Sequence, residues 1–193
     1  MELDLEPATR ALAHVAGGIG DDQLDGPTPC DVTVTKVLAH VVGLSVAFRE
    51  AARKVRDATT DTPPSLADGE LPADWRRRLP VLLDELAGAW REPGAWEGST
   101  RIAGLDLPAA QTGVVVNNEL VLHAWDLAVA TGQPYRPAPA NLEASWAMVS
   151  GTPDDIAARQ GLFGPVVAVP EDAPLLARVL GGAGRDPRWS PGG

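Results

Sequence analysis

The sequence predicts an all-α protein, a four-helix bundle followed by a short C-terminal extension of helical and extended segments. Three observations predict it. Four long segments repeat apolar residues at helical spacing. Breaks rich in Pro, Gly, Thr and Asp separate them. Cap and stop residues stand where those segments begin and end. Four long helices are the minimum set for a bundle.

The first helix is predicted over about 7–23, with Leu12, Val15 and Ile19 on one face and Gly17-Gly18 weakening its middle. Gly26-Pro27-Thr28-Pro29-Cys30 reads as a rigid turn. Asp31 or Thr33 can cap a second helix reaching about Asp57, with the stripe Val34, Val37, Leu38, Val41, Leu44 and Phe48. Its far end, Arg49 to Lys54, is polar and reads as solvated. Residues 58–69 form a loop. A third helix covers about 72–91 on Trp75, Leu79, Leu82, Leu83, Leu86 and Trp90. Residues 96–107 are too interrupted for a helix and suit a hairpin or extended loop. Pro108 opens the fourth helix, which stops at Thr131-Gly132. The loops between helices two and three, and three and four, are long enough to cross the bundle. The extension carries helices near 141–150, 153–159 and 174–180, an extended run at 164–170 packed on the bundle, and a frayed tail at 189–193. One domain over 1–193 is expected, with the bundle at about 5–132 and the extension at about 133–193.

Bulk properties narrow the function. Of 193 residues, 45% are hydrophobic and 22% charged, a globular composition. A net charge of −10 argues against nucleic acid and against anionic membrane surfaces. No apolar run reaches the roughly 20 residues that span a bilayer. The N-terminus, Met1-Glu2-Leu3-Asp4-Leu5-Glu6, lacks the basic and apolar stretches of a signal peptide. Cys30 is the single cysteine, so a cytoplasmic location is expected. Arg greatly outnumbers Lys, and Ala, Gly and Pro abound, the bias of a high-GC bacterial genome.

The fourth helix carries the chemistry. It is apolar on nearly every side, yet Glu119, His123 and Asp126 share one face. Buried charge is costly unless it is paired or holds a metal. Glu119 and His123, one turn apart, can grip one divalent cation but need a third ligand. The only other histidines are His14 and His40. His40 lies at the edge of the apolar stripe of the second helix and is preferred, because that helix is longer and more apolar than the one carrying His14. Two imidazoles and a carboxylate match a catalytic zinc shell with an open position; Ni(II) or Fe(II) suit the same donors. Asp126 can hold the second ring nitrogen of His123 or pair with an Arg from elsewhere. A metal-free reading, with Glu119 and His123 bonded only to each other, competes. Cys30, ahead of a helix, could be a thiolate; a small buried residue in a turn is the preferred reading. Arg76-Arg77-Arg78 reads as a solvated face, and Trp125 as core turned away from Glu119.

The chain resembles the actinobacterial metal-binding proteins related to the N-terminal domain of mycothiol-dependent maleylpyruvate isomerase, within the DinB/YfiT-like four-helix-bundle superfamily. The likeness rests on Thr28-Pro29-Cys30, on Val34 through Gly43, on Asn118 through Ala128, on Phe163 through Pro170, and on Gly184-Arg185-Asp186-Pro187. It implies metal ligands at His40, Glu119 and His123. It also implies zinc or another divalent ion, and mycothiol or another low-molecular-weight thiol acting on an electrophilic small molecule as a transferase or isomerase. A homodimer is a further implication. The alternative is a non-enzymatic metal-binding or regulatory protein. Two departures stand out. Asp31-Val32-Thr33-Val34 lacks the Trp usual after the Thr-Pro-Cys turn, and residues 141–193 differ from the isomerase's C-terminal domain.

Overall fold

The computed structural model describes residues 2–155, 159 and 163–192. The bundle helices are α1 (Glu6–Gly17), α2 (Val34–Ala52), α3 (Trp75–Arg91) and α4 (Ala109–Ala130). Two further helices follow, α5 (Pro139–Ser150) and α6 (Leu175–Gly182). The fold is largely helical, as the sequence predicts.

Boundaries differ where local chemistry decides them. Gly17-Gly18 ends α1 instead of weakening it, and a 3-10 turn, Asp21–Gln23, takes up part of the remainder. Thr33 caps α2, its hydroxyl accepting the Lys36 N–H at 3.4 Å. Asp31 instead sits at φ 58 inside the preceding turn. α2 stops at Ala52, five residues early, where Lys54 takes a left-handed φ of 60. The polar end of α2 is not free in solvent. Arg49 bridges to Glu85 on α3, and the Lys54 ammonium donates to the Ala95 and Glu97 carbonyls at 2.8 and 3.1 Å. Residues 58–61 form one helical turn capped by Asp57.

A hairpin of β1 (Ser99–Ile102) and β2 (Leu105–Pro108) precedes α4. Its antiparallel register pairs Ile102 with Leu105. Ala103 and Gly104 both have positive φ, 50 and 76, the turn that matches strand twist.

α1 packs on α3 and α4, and α2 packs on the same two helices. The order around the bundle is therefore α1–α3–α2–α4. The links α1→α2 and α3→α4 cross diagonally, whereas α2→α3 joins neighbours. The α2→α3 segment, long enough to cross, instead carries the turn and loop that lie against α2, and the α1→α2 crossing is made by a link that the sequence does not single out.

α4 is buried on two sides. Toward the bundle, Val116, Leu120, Val121, Ala124 and Leu127 join Leu12, Val37, Leu38, Val41, Leu83 and Leu86. Toward the extension, Leu122 and Trp125 join Val149, Val179, Leu180 and Ala183. Asn117 is satisfied inside this core: its amide donates to the Asn141 carbonyl and Ser145 hydroxyl and accepts from the Asn141 amide. The segment 164–170 has no regular structure, though the Val167 N–H donates to Gly181 of α6 at 2.9 Å. The tail is not frayed at Trp189, which packs against the second cluster. Of the helix predicted at 153–159, residues 153–155 are not helical, and 156–158 lie outside the described residues. No helix among them is long and apolar enough to cross a membrane.

Trp96 lies against Gly113 of α4, its indole N–H donating to the Trp90 carbonyl at 2.8 Å. A Cβ at position 113 would collide with that ring. Gly113→Ala gains up to about 1 kcal/mol of helix propensity but overpacks by about 1–3 kcal/mol. Urea unfolding should report net destabilisation; a stabilised variant would show that this contact is loose.

Candidate metal centre

His123, at the middle of α4, is held from both ring nitrogens. Nε2 lies 3.1 Å from Glu119 Oε2, one turn back. Nδ1 lies 3.0 Å from Asp126 Oδ2, one turn ahead. His40 approaches from α2, its ring edge-on to His123 with centroids 5.1 Å apart. One donor atom each from His40, Glu119 and His123 falls within 4.8 Å of the others. His14 is exposed on α1, outside this group.

The loop after the single turn closes over α2 beside His40. Gly43 brings the chain against Pro64, whose backbone hydrogen-bonds the His40 ring, and Lys36 Nζ ties down the Gly69 carbonyl at 3.1 Å. Leu12, Val41, Leu44, Ser45, Phe48, Leu86 and Leu120, with Glu119 and His123 themselves, line a partly open pocket of about 10 Å³. That is room for about one water molecule. The His123 side chain is 5% exposed and that of Glu119 22%, so solvent reaches the group along Glu119.

Asp126 meets both readings made from sequence. It accepts from His123, and the Arg185 guanidinium grips it bidentately, Nε to Oδ1 and Nη2 to Oδ2 at 2.9 Å each. Arg185 follows α6. Gly184, at φ 85, lets the Arg185 N–H return to the Leu180 carbonyl and the Gly184 N–H to Gly181. This is a Schellman ending, which turns the chain sharply and aims position 185 back at the bundle. Sequence reasoning gave Arg185 no role, although a buried acid on α4 and a Gly-Arg pair at a helix end were its signals.

The preferred reading of Cys30 as a turn residue alone is incomplete. The Thr28 hydroxyl pins both sides of its turn, bonding the Val32 carbonyl at 2.8 Å and the Cys30 N–H at 3.3 Å. The thiol thereby faces α4 and donates to Asp126 Oδ2 at 3.1 Å, with Arg185 Nη2 3.8 Å from the sulfur. Thiol and acid sit on the same side of His123, which rules out a triad with the imidazole between them.

Comparison with known proteins identifies the family. The model of the mycothiol maleylpyruvate isomerase N-terminal domain matches residues 5–128. The chain belongs to that family. Two relatives from Mycobacterium tuberculosis strains, uncharacterized proteins Rv0738 and MT0763, are each 30% identical over 127 residues. The match covers 65% of this chain and 64% of each relative. A crystal structure of the mycothiol-dependent maleylpyruvate isomerase superposes with a TM-score of 0.54 at 17% identity, over 74% of this chain and 65% of that one. The likeness fixes the fold as that of the isomerase-family bundle.

The residues of this family member fit a metal. His40 Nδ1 is buried with no hydrogen-bond partner, and so has a lone pair to give. Burial pushes the His40 pKa down to about 4, helped by His123, so the ring is neutral at pH 7. Burial also works against a charged His123, but hydrogen bonds with Asp126, Cys30 and Glu119 outweigh it and raise its pKa well above 6.5. Burial opposes ionisation of Asp126, yet the Arg185 charge and the His123 hydrogen bond hold it well below the usual carboxylate range.

These shifts predict an acid limb for the metal-free protein. The folded pKa of His40 lies below its unfolded value, so its effect on stability is absent above about 6.5. Stability then falls as pH drops toward 4, by up to about 3 kcal/mol. His123 has the opposite sign: its stabilisation is fully present below 6.5 and is lost only as pH rises through its folded pKa. Urea unfolding at pH 7 and 4.5 should therefore show a loss that His40→Gln flattens. An unchanged slope in that variant would assign the limb elsewhere.

Proposed function

We propose that this chain holds one divalent metal ion through His40, Glu119 and His123. We further propose that it acts with a low-molecular-weight thiol, mycothiol first, to transfer or isomerise an electrophilic small molecule. The convergence of three donors from two helices, one of them on an imidazole whose buried Nδ1 has no partner among the described residues, carries the metal reading. Family membership supports mycothiol. Zinc suits two imidazoles and a carboxylate; Ni(II) and Fe(II) accept the same set. When bound, the ion supplies Lewis acidity that lowers the pKa of a thiol beside it.

The protein's own residues do the rest. Asp126 fixes the tautomer and tilt of His123 by accepting its Nδ1–H, and Arg185 fixes Asp126. The mostly apolar lining from Leu12 to Leu120 leaves Glu119 as the polar edge of the inner side. Co-substrate therefore approaches along the wetter Glu119 edge. A purely binding or regulatory role would favour a fourth protein ligand closing the site. Asp126, the carboxylate such a site would draw on, is committed to Arg185 on the Nδ1 side of His123.

Hydrogen bonds with Asp126, Cys30 and Glu119 favour a protonated His123 in the metal-free site, and metal uptake must displace its Nε2 proton. Zinc affinity should then rise with pH, about tenfold per unit below the folded pKa, with about one proton released. Calorimetry in buffers of different ionisation enthalpy measures this; pH-independent affinity would contradict it. His123→Ala should abolish uptake and destabilise by about 3–5 kcal/mol, since Glu119 loses its partner. Zinc-loaded protein should bind mycothiol and support thiol-dependent turnover across a panel of electrophiles. Metal uptake without either would leave only the binding role.

A further inference from the structure

His123 belongs to two ligand sets at once. Through the Glu119 side it joins His40 and Glu119; on the other side lie Cys30 and Asp126, whose donor atoms also fall within 4.8 Å of a His123 nitrogen. The second set is the more strongly built. Asp126 is fully buried, and Cys30 supplies sulfur, which gives the tightest bonds to soft and borderline ions such as zinc, cobalt and cadmium. On donor chemistry alone, an ion should choose it.

The guanidinium of Arg185 changes that. It occupies the position a cation would take there. It bonds both Asp126 oxygens at 2.9 Å and reaches to 3.8 Å from the Cys30 sulfur. Its side chain is 13% exposed and that of Asp126 is fully buried, so water screens little of its charge. Arginine cannot shed its proton in this pH range, so the charge is permanent. A divalent ion on Cys30 and Asp126 would sit against it. Asp126, held this way, keeps accepting the Nδ1–H of His123, which leaves only Nε2 free to ligate.

We infer that Arg185 is the residue that selects the metal site: it locks the Cys30–His123–Asp126 set by standing in as its cation, and so directs a metal to His40, Glu119 and His123. This rests on the metal reading above. The chain from α6 to Arg185 then has a function beyond covering α4. It decides whether the protein's metal carries a protein thiolate, which would take the place of an added thiol, or keeps a position open for one.

Cobalt(II) titration of the full chain tests this, with uptake measured by elemental analysis and ligation by absorption. Wild type should bind one ion without a thiolate-to-cobalt charge-transfer band. Arg185→Met should develop that band as the Cys30 thiol gives its proton to solvent and ligates. Arg185→Lys, which keeps the charge, should resemble wild type, and Cys30→Ser added to Arg185→Met should abolish the band. Alkylation of Cys30 gives a second readout. Cobalt should leave its rate in wild type unchanged and slow it about tenfold or more in Arg185→Met, because a ligated thiolate is a poor nucleophile. A thiolate band or cobalt-protected Cys30 in wild type would overturn the selection by Arg185 while keeping metal binding, and these readings decide even if Arg185→Met fails to fold. So would a folded Arg185→Met with the wild-type spectrum. No cobalt uptake by any of these proteins would overturn the metal reading itself.

Discussion

Asp126 is fully buried and ionised, and everything around it follows from the need to pair that charge. A carboxylate in such a place is tolerable only with hydrogen bonds on its lone pairs and an opposite charge beside it. Three parts of the chain supply them. His123 comes from the same helix, Cys30 from the turn ahead of α2, and Arg185 from the end of α6. Burying such an ion pair is weak as a source of net stability, because desolvation offsets most of the attraction. Its value is in position. It gives His123 one orientation and adds an ion-paired tie between the C-terminal extension and the bundle.

α4 makes this possible because no part of its middle faces water broadly. The bundle covers one side and α5 and α6 cover another, and two of the buried polar groups pair with the extension, while the Asn118 amide is buried without a partner among the described residues. Asn117 meets Asn141 and Ser145, while Asp126 meets Arg185. The donors of the candidate metal centre occupy the strip between these packed faces. There the side chain of Glu119 keeps 22% of its exposure, while His40 and His123 are largely withdrawn.

Much of this was legible in the residues. An apolar helix bearing Glu119, His123 and Asp126 on one face announces a polar site inside a core, and only two other histidines could join it. The bundle helices were legible because their apolar period is long, and at α2 because Thr33 offers a side-chain cap. The ends were less so: Gly17-Gly18 and Lys54 stop helices through backbone conformation, which the periodic pattern does not encode. The two partners of Asp126 were hidden for a different reason. Cys30 and Arg185 reach it across sequence separations of 96 and 59 residues. Each is aimed by a local turn, through the Thr28 hydroxyl and the Gly184 backbone, and neither turn reveals from sequence what it faces.

X-ray absorption at the zinc edge of the zinc-loaded wild-type chain addresses the centre most directly, since it counts imidazoles and separates sulfur from nitrogen and oxygen. A first shell of nitrogen and oxygen with scattering from two imidazoles, gaining one sulfur only when a small thiol is added, is the predicted result. A protein that retains no zinc, or one whose zinc carries sulfur before any thiol is added, would contradict it.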